Sequence, residues 1–136
     1  QAIAGESIVM TLSNDIDISR GNSIVLASET DVPSLKISRR MFVGSTTKPK
    51  PGKTYLLQHG IHVTKAKIIQ ITERLDVSQQ TSETEVGQLN LNEIGKISLR
   101  TAQAISADKY SENPSNGSFI LIDEFSNSTV GVGFVD

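Results

Sequence analysis

Apolar and polar residues alternate with a period of two along almost the whole chain of 136 residues, and no stretch carries a helical stripe longer than two turns. Because neighbouring side chains of a strand point to opposite faces, such a chain is confined to half-buried strands joined by turns. In "ESIVMTLS", Ile8, Met10 and Leu12 alternate with Ser7, Val9 and Thr11, which predicts a strand, and "DIDIS" repeats the pattern. A turn at Arg20-Gly21-Asn22 leads into a β segment, "SIVLAS", and Pro33 of "ETDVPS" marks a domain join. "LKISRRMFVG" is the next strand, ending at Gly44. "TYLLQHG" and the odd-numbered apolar series Ile61, Val63, Ile69, Ile71, Leu75 and Val77 make a hairpin around Gly60.

The polar run 78–90 reads as an exposed loop, and "KISLR" then places Ile97 and Leu99 on one face. "SADKYSENPSNG" is dense in turn residues. The following "SFILIDE" is apolar on both faces, as a central strand is. In the closing "TVGVGFV", Gly131 and Gly133 fall on one face opposite Val130, Val132 and Phe134; a face so bare suits a packed barrel strand approached closely by another group. Strands spaced by about 8–12 residues with turn signals between them indicate an all-β barrel or sandwich.

Composition removes several functions. A single domain, or a small domain plus a fragment, fits this length, and it would bury roughly two-thirds of the surface exposed on unfolding. Cysteine is absent, so no disulfide, thiolate nucleophile or cysteine-based zinc site can be built. Thirteen basic residues against fifteen acidic ones leave a net charge of −2, without the basic excess of a nucleic-acid binder. The longest apolar runs, such as "FILI", are too short to span a membrane, and "QAIAGES" has neither the charged start nor the apolar core of a signal peptide. A cytoplasmic protein with neither nucleic-acid nor membrane partners is expected.

The most suggestive motif is Gly52-Lys53-Thr54 in "TKPKPGKTYLLQHG", the second half of a phosphate-binding loop. Such loops need glycines whose N–H groups curl around phosphate and a helix beginning after the lysine. Thr47 stands where the first glycine belongs, Pro49 and Pro51 remove two donors, and "TYLLQHG" has strand chemistry. Pro51-Gly52 therefore reads as a type II turn. His59 and His62 straddle Gly60 without further ligands nearby and read as hairpin residues. Asp15 and Asp17 share one strand face, as catalytic carboxylates can, but also as a solvated edge does. Lys48, Lys50 and Lys53, with Arg39 and Arg40, form a basic cluster near a single ring, Tyr55, which is a poor stacking platform. No catalytic, cofactor-binding or metal-binding residue is assigned.

Longer segments carry a resemblance. "AGESIVMTLSNDIDISRGNSIVLAS" is similar to the end of the second domain of elongation-factor-Tu-like GTPases. "LNEIGKISLRTAQAI" followed by "DKYSENPSNGSFILIDEFSNSTVGVGFV" resembles the C-terminal barrel of the GTP-hydrolysing subunits of bacterial sulfate adenylyltransferases, and "PGKTYLLQHG" and "TERLDV" fit the same family's middle strands. The chain departs from the family at Pro114, where arginine is usual, and at Asn116, where threonine is usual. The resemblance implies an antiparallel Greek-key β-barrel over residues 31–136, preceded in residues 1–30 by the incomplete end of a second barrel. It also implies a separate G domain holding GTP and magnesium, and a small catalytic subunit that makes adenylyl sulfate. The fragment itself would then be inactive, without a cofactor, and prone to pair with a second copy through residues 5–28. Two other readings share the pattern: the barrel of a translation-factor GTPase, and an independent module binding an oligonucleotide or peptide.

Overall fold

The computed structural model describes residues 2–3, 5–22, 24, 34–43, 48–76, 81–84 and 86–135. The alternating segments become strands β1 (Ser34–Val43), β2 (Thr54–His59), β3 (His62–Asp76), β4 (Thr81–Thr84), β5 (Ile94–Ile105), β6 (Ser118–Ile122) and β7 (Thr129–Val135), and no helix occurs among the described residues. Every pairing is antiparallel. Strands run in the order β2-β6-β7-β1-β5-β3-β4, and β2 also pairs with β3. The sheet therefore closes on itself, leaving β4 annexed to the far end of β3, and closure removes the open edges that would otherwise template strand addition. Tyr55, Leu57, Ala66, Ile68, Ile71, Leu89, Ile97, Leu99, Ile105, Phe119, Leu121, Val130 and Val135 fill its interior.

Register decides which residues enter that interior. β2 and β3 are joined through Gly60-Ile61, with His59 opposite His62 and Gly60 at φ +56°, the positive value a type II′ turn needs at its first central position. That turn sets Leu57 against Thr64 and Tyr55 against Ala66, so the even-numbered residues of β3 go inward as far as Ile68. Ile61 and Val63 point out, 54% and 53% exposed, contrary to the odd-numbered inward face expected from the sequence. A bulge at Ile69, between the pairs Ile68–Leu99 and Gln70–Ser98, then reverses the phase and brings Ile71 inside. Val77 and Gly44 lie outside the described residues.

The 78–90 region also differs from a free loop. Thr81–Thr84 pairs with the end of β3, and Leu89 is fully buried, its N–H donating to the Pro49 carbonyl at 3.2 Å. The methyl groups of Leu89 cover Gly95, where a Cβ would lie 2.8 Å from Leu89 Cδ2. Ile97 and Leu99 share the inner face, as their alternation predicts, and β6 is central between β2 and β7.

On β7, Gly133 pairs with Phe119, and a Cβ at Gly133 would collide with the Phe119 ring. The bare glycine face thus faces inward and is filled by an aromatic ring from the neighbouring strand. Val130 joins it, because a register shift after Leu121 inserts Val130 into the core instead of opposite the glycines; Val132 and Phe134 alone turn outward.

The N-terminal region is not the strand its alternation predicts. Residues 5–22 contain turns and irregular backbone, and Ile8, Met10 and Leu12 are exposed. An isolated strand leaves its N–H and C=O groups to water and has no opposing face to bury against, so alternation alone does not order it. "SIVLAS", apart from Ile24, and the join at Pro33 lie outside the described residues.

Candidate functional site

The Gly-Lys-Thr motif is a turn tied into the barrel. Gly52 has φ +85° and Lys53 N–H donates to Lys50 O at 3.4 Å, the closing bond of a turn centred on Pro51-Gly52. Gly52 N–H donates to Ile68 O at 2.8 Å and Ile68 N–H to Lys53 O at 3.1 Å, which stitches the turn to β3. The donors that a phosphate cradle would offer are thus consumed within the protein.

The lysine is consumed as well. Its Nζ donates to Asp123 Oδ2 at 2.7 Å and lies 5.0 Å from the centroid of the Tyr55 ring. Asp123 is buried at the end of β6, and its other oxygen, Oδ1, accepts from Phe125 N–H and Ser126 N–H, both at 3.1 Å, and from Ser126 Oγ at 3.3 Å. The carboxylate therefore caps the β6–β7 connection, in which Asn127 adopts φ +55° and donates its N–H to Asp123 O. Its hydrogen bond with Lys53, then those from the turn, lower the Asp123 pKa to about 2; the same bond raises that of Lys53. Tyr55 is pushed up by burial.

The histidines are hairpin residues with separate roles. His59 is buried and its Nε2–H donates to Asn116 O at 2.8 Å, while His62 is exposed and lies against Gly21, where a Cβ would come 2.9 Å from His62 Cε1. Asn116 also donates through Nδ2 to Asp108 Oδ2 at 3.1 Å, and Asn113 donates to the same oxygen at 2.7 Å. The residue that departs from the family's threonine therefore closes the 108–117 loop. A groove of about 340 Å³ separates this loop from Gly21 and Asn22. Among the described residues no three His, Cys, Asp or Glu side chains gather as metal ligands would.

The other candidates are not brought together. Asp15 and Asp17 are exposed on irregular backbone instead of sharing a strand face, and Lys48 and Lys50 are exposed while Lys53 is paired. Arg39 and Arg40 stand on β1 opposite Ile97 and Lys96 of β5. Tyr55, the ring beside the lysines, is buried and offers no stacking surface. Sequence reading missed Asp123. Its signal was present in "DEFSNS", an aspartate starting a turn-rich run, but its partner is 70 residues away.

Comparison with known proteins now bears on these observations. Residues 36–136 match the family model described as GTP-eEF1A C-terminal domain-like. Sulfate adenylyltransferase subunit 1 of Psychromonas ingrahamii is 37% identical over 134 residues, covering 98% of this chain and 28% of its own length. The protein of the same name from Cellvibrio japonicus is 36% identical, covering 99% of this chain and 28% of its own. The bifunctional enzyme CysN/CysC of Xylella fastidiosa is 37% identical over the whole chain and 22% of its own length. Among solved structures, sup35 complexed with GDP superimposes with a TM-score of 0.66 at 14% identity, over 79% of this chain and 26% of sup35. That likeness concerns the fold alone. The chain thus spans about 28% of the length of the subunit 1 relatives it matches.

Proposed function

Because the chain belongs to the GTP-eEF1A C-terminal domain-like family, we propose that it is the C-terminal barrel region of a sulfate adenylyltransferase subunit 1 and acts there as a non-catalytic coupling element. The observation that carries this reading is the match of essentially the whole chain to subunit 1 relatives, including the segment before the barrel. Residues 1–30 are the closing part of a preceding barrel and 31–136 the last one. GTP and magnesium are held by a G domain elsewhere in the parent protein, and a second subunit forms adenylyl sulfate and pyrophosphate from ATP and sulfate. The site chemistry supports a non-catalytic role: Lys53 is neutralised by Asp123 and the turn donors are occupied.

A barrel can serve coupling because it is closed and moves as a body. Nucleotide-state energy reaches a second site only through an element whose contacts differ between states. A chimera tests this: the corresponding segment of the Psychromonas ingrahamii protein is replaced by this chain and assayed with that enzyme's second subunit for GTP-driven adenylyl sulfate synthesis. Activity is expected to persist. A folded chimera that binds GTP but no longer drives synthesis contradicts the reading.

Two properties of the fragment follow. It binds neither GTP nor ATP, so calorimetric titration in magnesium gives no saturable heat; micromolar binding abolished by Lys53→Ala refutes this. Its exposed apolar residues before the barrel pair with those of a second copy through residues 5–28, so light scattering finds a dimer that a version starting near Asp31 does not form. Monomers in both cases refute it.

A further inference from the structure

Of the described residues before β1, Gly21 alone is partly buried; the others are exposed. A Cβ at Gly21 would lie 2.9, 3.5 and 3.7 Å from Cε1, Nε2 and Nδ1 of His62, so the edge of the imidazole ring rests on the bare glycine. Both sides of this contact are braced. On the N-terminal side, Asn22 N–H donates to Ser19 O at 3.0 Å and Ser19 N–H donates to Asn22 Oδ1 at 2.7 Å. These bonds close a turn with Gly21 third, at φ +107°, where a type II turn needs a positive value. On the barrel side, His62 pairs across the hairpin end with His59, whose Nε2–H donates to Asn116 O, and Asn116 is held in turn by Asp108. Gly21 and Asn22 form one wall of the groove described above, and the hairpin, Ile105 and Asn116 form the other.

We propose that the turn 19–22 is a latch and the hairpin end of the barrel its seat, so that the contact of Gly21 with His62 fixes where the preceding part of the chain meets the barrel. Neighbouring units joined only by a connecting segment reorient freely, whereas two braced elements that meet at one point make a defined joint. Two features require glycine at position 21: its positive φ, and the ring that occupies the place of a side chain. In the coupling reading above, this joint passes the position of the preceding barrel to the last one. The contact itself does not depend on that reading, which the chimera decides separately.

Nuclear magnetic resonance on this 136-residue chain tests the latch, because its two histidines give separate Hε1 signals. A nuclear Overhauser contact between His62 Hε1 and Gly21 Hα is expected, and a mixture of labelled and unlabelled chains should show that it forms within one chain. Backbone heteronuclear Overhauser values, which report motion on the picosecond to nanosecond scale, should be higher for residues 19–22 than for residues 6–18. His62→Ala leaves the turn's own bonds in place and should lower the values of 19–22 to those of 6–18. Gly21→Val should move His62 Hε1 to its position in a chain starting near Asp31, while His59 Hε1, held at Asn116, stays where it is. Absence of the Overhauser contact in the wild type, a contact between two chains, unchanged values for 19–22 in His62→Ala, or a His62 signal that Gly21→Val does not move would each overturn the latch.

Discussion

Residues 6–12 and β2 have the same alternation but opposite fates. Tyr55 and Leu57 on β2 are fully buried, whereas Ile8 and Leu12 are 56% and 47% exposed. β2 has β3 on one side and β6 on the other, while among the described residues the N-terminal region has turn bonds such as Glu6 N–H to Ile3 O. A period of two provides a face; partners make the strand, by pairing its backbone and giving that face something to cover. Among the described residues the N-terminal segment is a face without strand partners.

The largest test of this contrast is one substitution made in both regions. Leu57→Ala should lower stability by about 2–5 kcal/mol, because it leaves a cavity among packed side chains. Leu12→Ala should leave the barrel's urea midpoint unchanged, within about 0.5 kcal/mol. Equal effects at the two positions would break the comparison. Next in size is Gly133→Val, which drives a side chain into the Phe119 ring and should cost roughly 1–3 kcal/mol; an unchanged urea midpoint would show that the ring is not locked over the glycine.

The smallest effect sharpens the account of the Lys53–Asp123 tie. Asp123 ionises at about 2 in the folded protein, against an ordinary value of 3.8. A carboxyl depressed by folding stabilises above its unfolded pKa, so the contribution is complete near neutrality and is lost as pH falls from about 4 toward 2. Thermal melts of wild type and Asp123→Asn should converge over that interval. A constant gap between them down to pH 2 would mean that ionisation of Asp123 is not what the folded state uses.

The strands and turns of the barrel were largely legible in the sequence, because alternation and Gly/Pro punctuation are local signals. Three features were not. The phase of β3 depends on a bulge at Ile69 that only pairing with β5 reveals, so a continuous odd-numbered series misassigned the inner face. Leu89 sits in a polar run and is drawn inside by its contact with Pro49, distant in sequence, and by the bare surface of Gly95 that its methyl groups cover. Asp123 becomes meaningful only when closure of the sheet brings it to Lys53. The rejection of Gly52-Lys53-Thr54 as a phosphate loop needed no such information, since Pro49, Pro51 and the strand after Lys53 already spoke against a cradle.

Amide hydrogen exchange, compared between this 136-residue chain and the full-length protein containing it, tests the central contrast most directly, because protection reports which backbone groups have partners. At a concentration low enough to keep the fragment monomeric, amides of β2, β5 and β6 should be protected in both proteins. Those of residues 6–18 should exchange rapidly in the fragment and become protected in the full-length protein if, as proposed above, a preceding barrel supplies their strand partners. Rapid exchange of residues 6–18 in both proteins, or strong protection of them in the monomeric fragment, would contradict the account.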